Sequence, residues 1–206
     1  MMILFLSLPL IFYDYKLQRF CKSDIYRSHM NYYYWTIISN KNIPSIEGAI
    51  AKIKTLVEDN VDKDPKFNEK LLEELRKICA SSGFSGEFRY WVLICGLFSA
   101  DPNRNIVKRW KEHEKAFLQL VQHDGKIGIK HLLQSIVLFF VRRHPETEKF
   151  AGTFMKLLND QEVFSEEFII KWFERKGKLD KTCALYDRKA EKEFRQSIAS
   201  FVKWLQ

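Results

Sequence analysis

From Pro44 onward the apolar positions of the chain recur every three to four residues. Ile46, Ile50, Ile53 and Val57 fall at i, i+4, i+7 and i+11, which predicts an amphipathic helix over about Ser45 to Glu58. Asp64 and Pro65 read as an N-cap followed by a first-turn proline. They would open a helix that buries Leu71, Leu72, Leu75 and Ile78 and ends near Ser82-Gly83. The segment EFRYWVLICGLF has little polar face and predicts a buried helix from Glu87 to Ser99. Asp101-Pro102 repeats the start signal, and the next helix turns Ile106, Val107, Trp110, Phe117, Leu120 and Val121 inward before a break at Asp124-Gly125. Ile129 to Arg143 is apolar almost all round in HLLQSIVLFF and belongs at the centre of the domain. Pro145 starts another helix, with Phe150, Phe154, Leu157 and Leu158 on one face. Short turns between helices of this length imply antiparallel neighbours, so the expected fold is all-α: stacked antiparallel hairpins in a HEAT-like solenoid.

The first 42 residues do not share this pattern. Their opening apolar run of about thirteen residues is too short to span a bilayer as a helix. No Lys or Arg precedes it and no small-residue cleavage site follows, so a secretory signal or membrane anchor is the weaker reading. Residues 1–42, including the tyrosine-rich run from Tyr32 to Trp35, are set apart as an N-terminal extension, and 43–206 as the helical domain.

Composition narrows the chemistry. Only 8 Gly and 5 Pro interrupt 206 residues, and no GxGxxG or GxxxxGK[ST] stretch offers a phosphate-cradling loop. Cys21, Cys79, Cys95 and Cys183 lie far apart without a CxxC pair, which argues against a zinc ribbon, and the helical patterns around Cys79 and Cys95 suggest buried thiols of a reducing compartment. His29, His113, His123, His131 and His144 make no metal-ligand spacing, and no Ser or Cys sits in a nucleophile elbow. Neither a metal, a cofactor, a small-molecule substrate nor an enzyme activity is expected. The net charge of +8 by itself decides nothing about partners.

Two local clusters stand out. In NDQEVFSEEFIIKWFERKGKLDK, Ser165 suits an N-cap and Glu166 and Glu167 occupy the first turn, where the helix dipole favours negative charge. Phe168 and Trp172 share one face, Ile169 and Phe173 a neighbouring one, and most of these should pack inward. Asp160, Glu162, Glu166 and Glu167 remain as an acidic rim around the helix start. In the terminal FRQSIASFVKWLQ, Phe194, Ile198, Phe201, Val202 and Leu205 form the buried stripe, and Trp204 falls off it as a candidate contact residue. The second cluster is a basic row, Arg104, Lys108, Lys111 and Lys115, which fits a docking face for an acidic segment or for RNA phosphates. No aromatics are interleaved with it, so sequence-reading of RNA is not expected.

The two segments, about thirty residues apart and each closing on a tryptophan, resemble the paired aromatic and acidic boxes of the W-two domain at the C terminus of eukaryotic translation initiation factor 5. The likeness extends more weakly upstream to about Phe88, through WVLICGLF and HLLQSIVLFF. Relatives in this superfamily include the catalytic subunit of the initiation-factor-2 exchange factor and the factor-5-mimic proteins. The resemblance implies a cytoplasmic, non-enzymatic docking module of translation initiation, in which Asp160, Glu162, Glu166, Glu167, Trp172, Phe173 and Trp204 meet partners. Its implied partners are lysine-rich segments of the initiation factor 2 beta subunit, a subunit of initiation factor 3, and initiation factor 1, with any ribosomal RNA contact weak or indirect. The alternatives are a factor-5-mimic or exchange-factor W-two domain, an RNA-associated helical scaffold acting through the basic helix, or a membrane-tethered protein using the first sixteen residues. Factor 5 stimulates GTP hydrolysis through an N-terminal zinc-binding domain with no counterpart in this sequence, so that activity is not expected. The family's second box runs into an acidic tail, whereas this sequence stops at Gln206 and is basic overall, which lowers the affinity expected for lysine-rich segments.

Overall fold

The computed structural model describes residues 43–60, 66–98, 106–177, 179 and 183–206, which form helices and short connections. The N-terminal extension, Asp64-Pro65, Asp101-Pro102 and Arg104 lie outside the described residues. Helix α1, Ile43–Glu58, buries Ile46, Ile50 and Ile53, while Val57 at the end of the predicted stripe is only half-buried. Helix α2, Phe67–Ser82, buries the predicted leucines and Ile78, and stops where Gly83 takes φ 65°. Its last carbonyls are met by the N–H groups of Gly83 (3.3 Å to Ala80 O) and Phe84 (3.0 Å to Cys79 O), the left-handed termination that glycine permits. Helix α3, Gly86–Phe98, is buried at every position from Tyr90 onward. It packs against α1 so closely that a Cβ on Gly96 would collide with the Ile53 side chain.

Helix α4, Ile106–Leu138, carries the predicted break as a kink at Gly125 (φ 60°, ψ −140°). A polar knot holds that kink. The buried Asp124 carboxylate accepts from Arg89 Nη2 at 3.0 Å and from the Tyr90 hydroxyl at 3.0 Å, with Leu120 O 3.1 Å from the same hydroxyl. Burial alone would raise the Asp124 pKa, but the His123 hydrogen bond, Arg89 and Tyr90 outweigh it and hold the carboxyl below its usual range. Of the inward positions expected on this helix, Ile106, Trp110, Phe117 and Leu120 are buried, whereas Val107 and Val121 are half-buried.

The helix ends in a π-helical turn, Phe139–Arg143, closed by the His144 N–H to Phe139 O at 2.8 Å. Its two arginines reach different elements. Arg143 makes a two-pronged contact with Glu47 of α1, and Arg142 reaches Asp187 at 3.0 Å and Glu193 at 2.7 Å in the last third of the chain. A 3₁₀ turn, Pro145–Phe150, then leads into helix α5, Ala151–Asp160. The expectation that Phe150 packs inward with Phe154 and Leu158 is corrected here: Phe150 is 40% exposed. At the end of a turn wound with three residues per revolution, it is rotated off the face that α5 continues.

Helices α6, Glu166–Phe173, α7, Arg188–Ser197, and α8, Ala199–Leu205, complete the described chain. The last two replace one expected helix, yet the break consumes only Ile198, so Phe194, Ile198 and Val202 still form a buried stripe. Phe201 and Leu205 at its edge are half-buried. The core is an aromatic chain: Trp110 stacks on Phe117 with centroids 4.4 Å apart, Phe154 meets Trp110 edge-on at 5.4 Å, Phe140 links Phe154 to Phe194, and Phe194 lies 6.2 Å from Trp172. No strand occurs among the described residues, and the helices stack as the HEAT-like series that their lengths predict.

Candidate docking surface

The first box is built on the N-terminus of α6. Ser165 is its N-cap, in extended backbone, and its hydroxyl accepts from the Phe168 N–H at 3.2 Å. Glu166 and Glu167 follow in the first turn and are exposed, as are Asp160 at the end of α5 and Glu162 in the turn between α5 and α6. Glu162 holds φ 58°, a left-handed conformation unusual for a residue with a Cβ, and ends α5 through its N–H to Asn159 O at 2.9 Å. The four carboxylates are not equally free. Lys171 bonds Glu167 one turn away and draws its pKa down, and Lys156 sits 3.0 Å from both Asp160 oxygens.

Lys156 also joins the two boxes. Its ammonium lies 4.8 Å from the centroid of Trp204, whose ring stacks at 6.2 Å on Phe201. Trp204 is 64% exposed, the off-stripe position that the periodicity predicts. Helix α8 packs on both α5 and α6, which brings the exposed indole beside the acidic rim. One cation is therefore held between a rim carboxylate and an indole face.

Trp172 behaves in the opposite way. It is 1% exposed, its Nε1 donates to Glu191 at 2.9 Å, and the Arg195 guanidinium covers its ring at 4.8 Å. Its place among the partner-touching residues is corrected on that ground, since an enclosed ring supports the surface from below without touching a ligand. Phe173 is half-buried beside it.

The basic row forms part of a mixed face. Lys108, Lys111 and Lys115 are exposed along α4, but Glu112 is exposed among them and Glu114 accepts a hydrogen bond from Gln161. The cysteines within the described residues, Cys79, Cys95 and Cys183, are buried. Burial raises the Cys79 thiol to about 11 and also pushes Cys95 up, which makes both poor nucleophiles. Among the described residues no group of His, Cys, Asp and Glu side chains could hold a metal ion, and no helix is long and apolar enough to cross a membrane.

Sequence reasoning missed two features. One is the role of Lys156, which lies a turn from Asp160 but whose second partner is distant in sequence. The other is a cleft of about 450 Å³ between the boxes, bordered by Arg175, Tyr186, Arg188, Lys192 and Arg195. The spacing of Arg188, Lys192 and Arg195 at four and three is the signal that could have pointed to the latter.

A solved structure of the C-terminal domain of translation initiation factor 5 at low pH matches with a TM-score of 0.53 and 23% identity, over 77% of this chain and 90% of that one. That likeness establishes the all-α HEAT-like fold. No curated protein matches the sequence. The family model described as W2, eIF4-gamma/eIF5/eIF2-epsilon, matches residues 113–206, the part that holds both boxes and most of α4. Residues 113–206 are thus similar to the W2 domain of eIF4-gamma, eIF5 and eIF2-epsilon.

Proposed function

We propose that this chain is a non-catalytic docking module of translation initiation whose acidic rim and Trp204 capture lysine-rich segments of other initiation factors. The observation that carries the reading is the seat of Lys156 between Asp160 and the Trp204 ring. An intramolecular lysine there supports the surface as one that accepts ammonium groups, by charge from the rim and by the indole quadrupole. Exposed Glu162 and Glu166 have no ion pair among the described residues and extend the attraction beyond that one seat. The best-matched partner is the lysine-rich part of the initiation factor 2 beta subunit, with an initiation factor 3 subunit and initiation factor 1 as further partners, in the cytoplasm. Lys108, Lys111 and Lys115 supply a second, weaker surface for an acidic segment.

Calorimetric titration with a synthetic lysine-rich peptide tests the reading. Changing Glu166 and Glu167 together to Lys should abolish most of the binding while leaving the helical content intact, because both side chains are exposed. Lys156→Gln should act in the other direction and tighten binding severalfold, since it vacates the seat that the peptide must otherwise compete for. Unchanged affinity in the double variant would reduce these glutamates to helix caps.

A further inference from the structure

We infer that the cleft between the two boxes is an anion site, and that it takes the phosphorylated side chain of a protein segment. It lies apart from the acidic rim in both residues and charge sign, so either reading can fail without the other. The cleft encloses about 450 Å³, the size range of ligand pockets, and its border brings four cations together around one carboxylate. Arg188, Lys192 and Arg195 stand on one stripe of α7 at i, i+4 and i+7, and Arg175 comes from the turn after α6.

The carboxylate, Glu191, offsets only one of the four. It is 6% exposed and its Oε1 is already engaged by Trp172 Nε1 at 2.9 Å and Arg195 Nη2 at 2.6 Å. Among the described residues no ion pair engages Arg175, Arg188 or Lys192. Arg195 spends Nη2 on Glu191 and on Trp172 O at 2.9 Å, while its Nε is buried with no hydrogen-bond partner. Burial first, and then the nearby Arg175 charge, draw the Arg195 pKa down against the pull of Glu191, so positive charge is crowded at this point.

Arg175 adds an independent sign. It holds φ 62° at the end of α6, where the Gly177 N–H reaches back to Lys171 O at 2.8 Å, in the place where helices usually put glycine. A side chain kept in that conformation is strained, and such residues cluster at functional positions.

Three guanidiniums and an ammonium match a dianionic phosphate monoester better than a single carboxylate. Nucleic acid is the poorer match, because a single aromatic, Tyr186, stands at the border and is half-buried, whereas binding of successive bases uses several exposed ring faces.

The test uses the full chain and a fluorescein-labelled library of short peptides with a central phosphoserine and randomised flanks. The same library with serine, and a labelled oligouridylate, serve as comparison probes in fluorescence anisotropy. The phosphoserine library should bind at least tenfold more tightly than the serine library and the oligouridylate. Arg188→Gln with Lys192→Gln, both exposed positions, should remove that preference, and so should Arg175→Gly, which deletes the cation while relieving the backbone. Circular dichroism melts of the variants should match the parent. Equal binding of the two libraries, no binding, tighter binding of oligouridylate, or a preference that survives in folded variants would each overturn the inference.

Discussion

Trp172 and Trp204 close equivalent boxes but have opposite surroundings, so equal substitutions should separate stability from recognition. Replacing Trp172 with Ala removes a ring that is 1% exposed, packs on Phe194 and satisfies Glu191, and should cost on the order of 3–5 kcal/mol. Leaving a buried carboxylate with one donor fewer adds to that cost. Trp204→Ala removes a ring that is 64% exposed, and should cost below about 1 kcal/mol while weakening capture of lysine-rich peptide. Thermal melts and peptide titrations on both variants read the difference, and similar melting losses in the two would make Trp204 a structural residue. The off-stripe position of Trp204 was legible from periodicity, because a helix of known phase assigns each residue to a face. The enclosure of Trp172 was legible only in part, since Glu191 and Arg195 reach it from another helix.

Between elements, the joint of α2 with α4 carries a titratable group. His113 is buried, its ring lies 5.7 Å from Phe67, and its Nδ1 lies 3.4 Å from Asn68 Oδ1, with Glu112 and Arg109 the nearest charges. Burial lowers its pKa, and the Glu112 charge does not offset this. The folded state thus prefers the neutral ring, and its contribution to stability is complete above the unfolded value of about 6.5 and lost as pH falls from there toward the lower folded value. His113→Gln should therefore flatten the decline of the melting midpoint between about pH 7 and pH 5.5; parallel declines in the two proteins would show that His113 is not its source. Element boundaries show where sequence patterns succeed. The α4 kink was legible because Asp124-Gly125 combines a turn former with a residue free to take φ 60°. The π and 3₁₀ turns that follow were not, because periods of three and of more than four residues leave the same short apolar spacing as an α-helix, and Phe150 was misplaced for that reason. The cationic cleft was equally hidden, because Arg175 and the α7 stripe converge only once α6 and α7 are packed.

Across the molecule, the arginine pair of the π turn ties the N-terminal helix to the last third of the chain, Arg143 to Glu47 and Arg142 to Asp187 and Glu193. Asp187 in turn caps α7 by accepting from the N–H groups of Lys189 and Ala190, at 2.8 and 2.9 Å. Unfolding of α1–α3 should accordingly couple to loss of the boxes. Residues 43–206 are expected to fold without the extension, as a single cooperative helical unit by circular dichroism; a broad transition, or an unfolded fragment, would mean that the first 42 residues are needed. That fragment has a further use. It retains four of the five tryptophans, and of these Trp91, Trp110 and Trp172 are enclosed while Trp204 stands in solvent. Collisional quenching of its native fluorescence by acrylamide should thus report on one indole alone, so occupancy of the second box can be followed optically with no label attached.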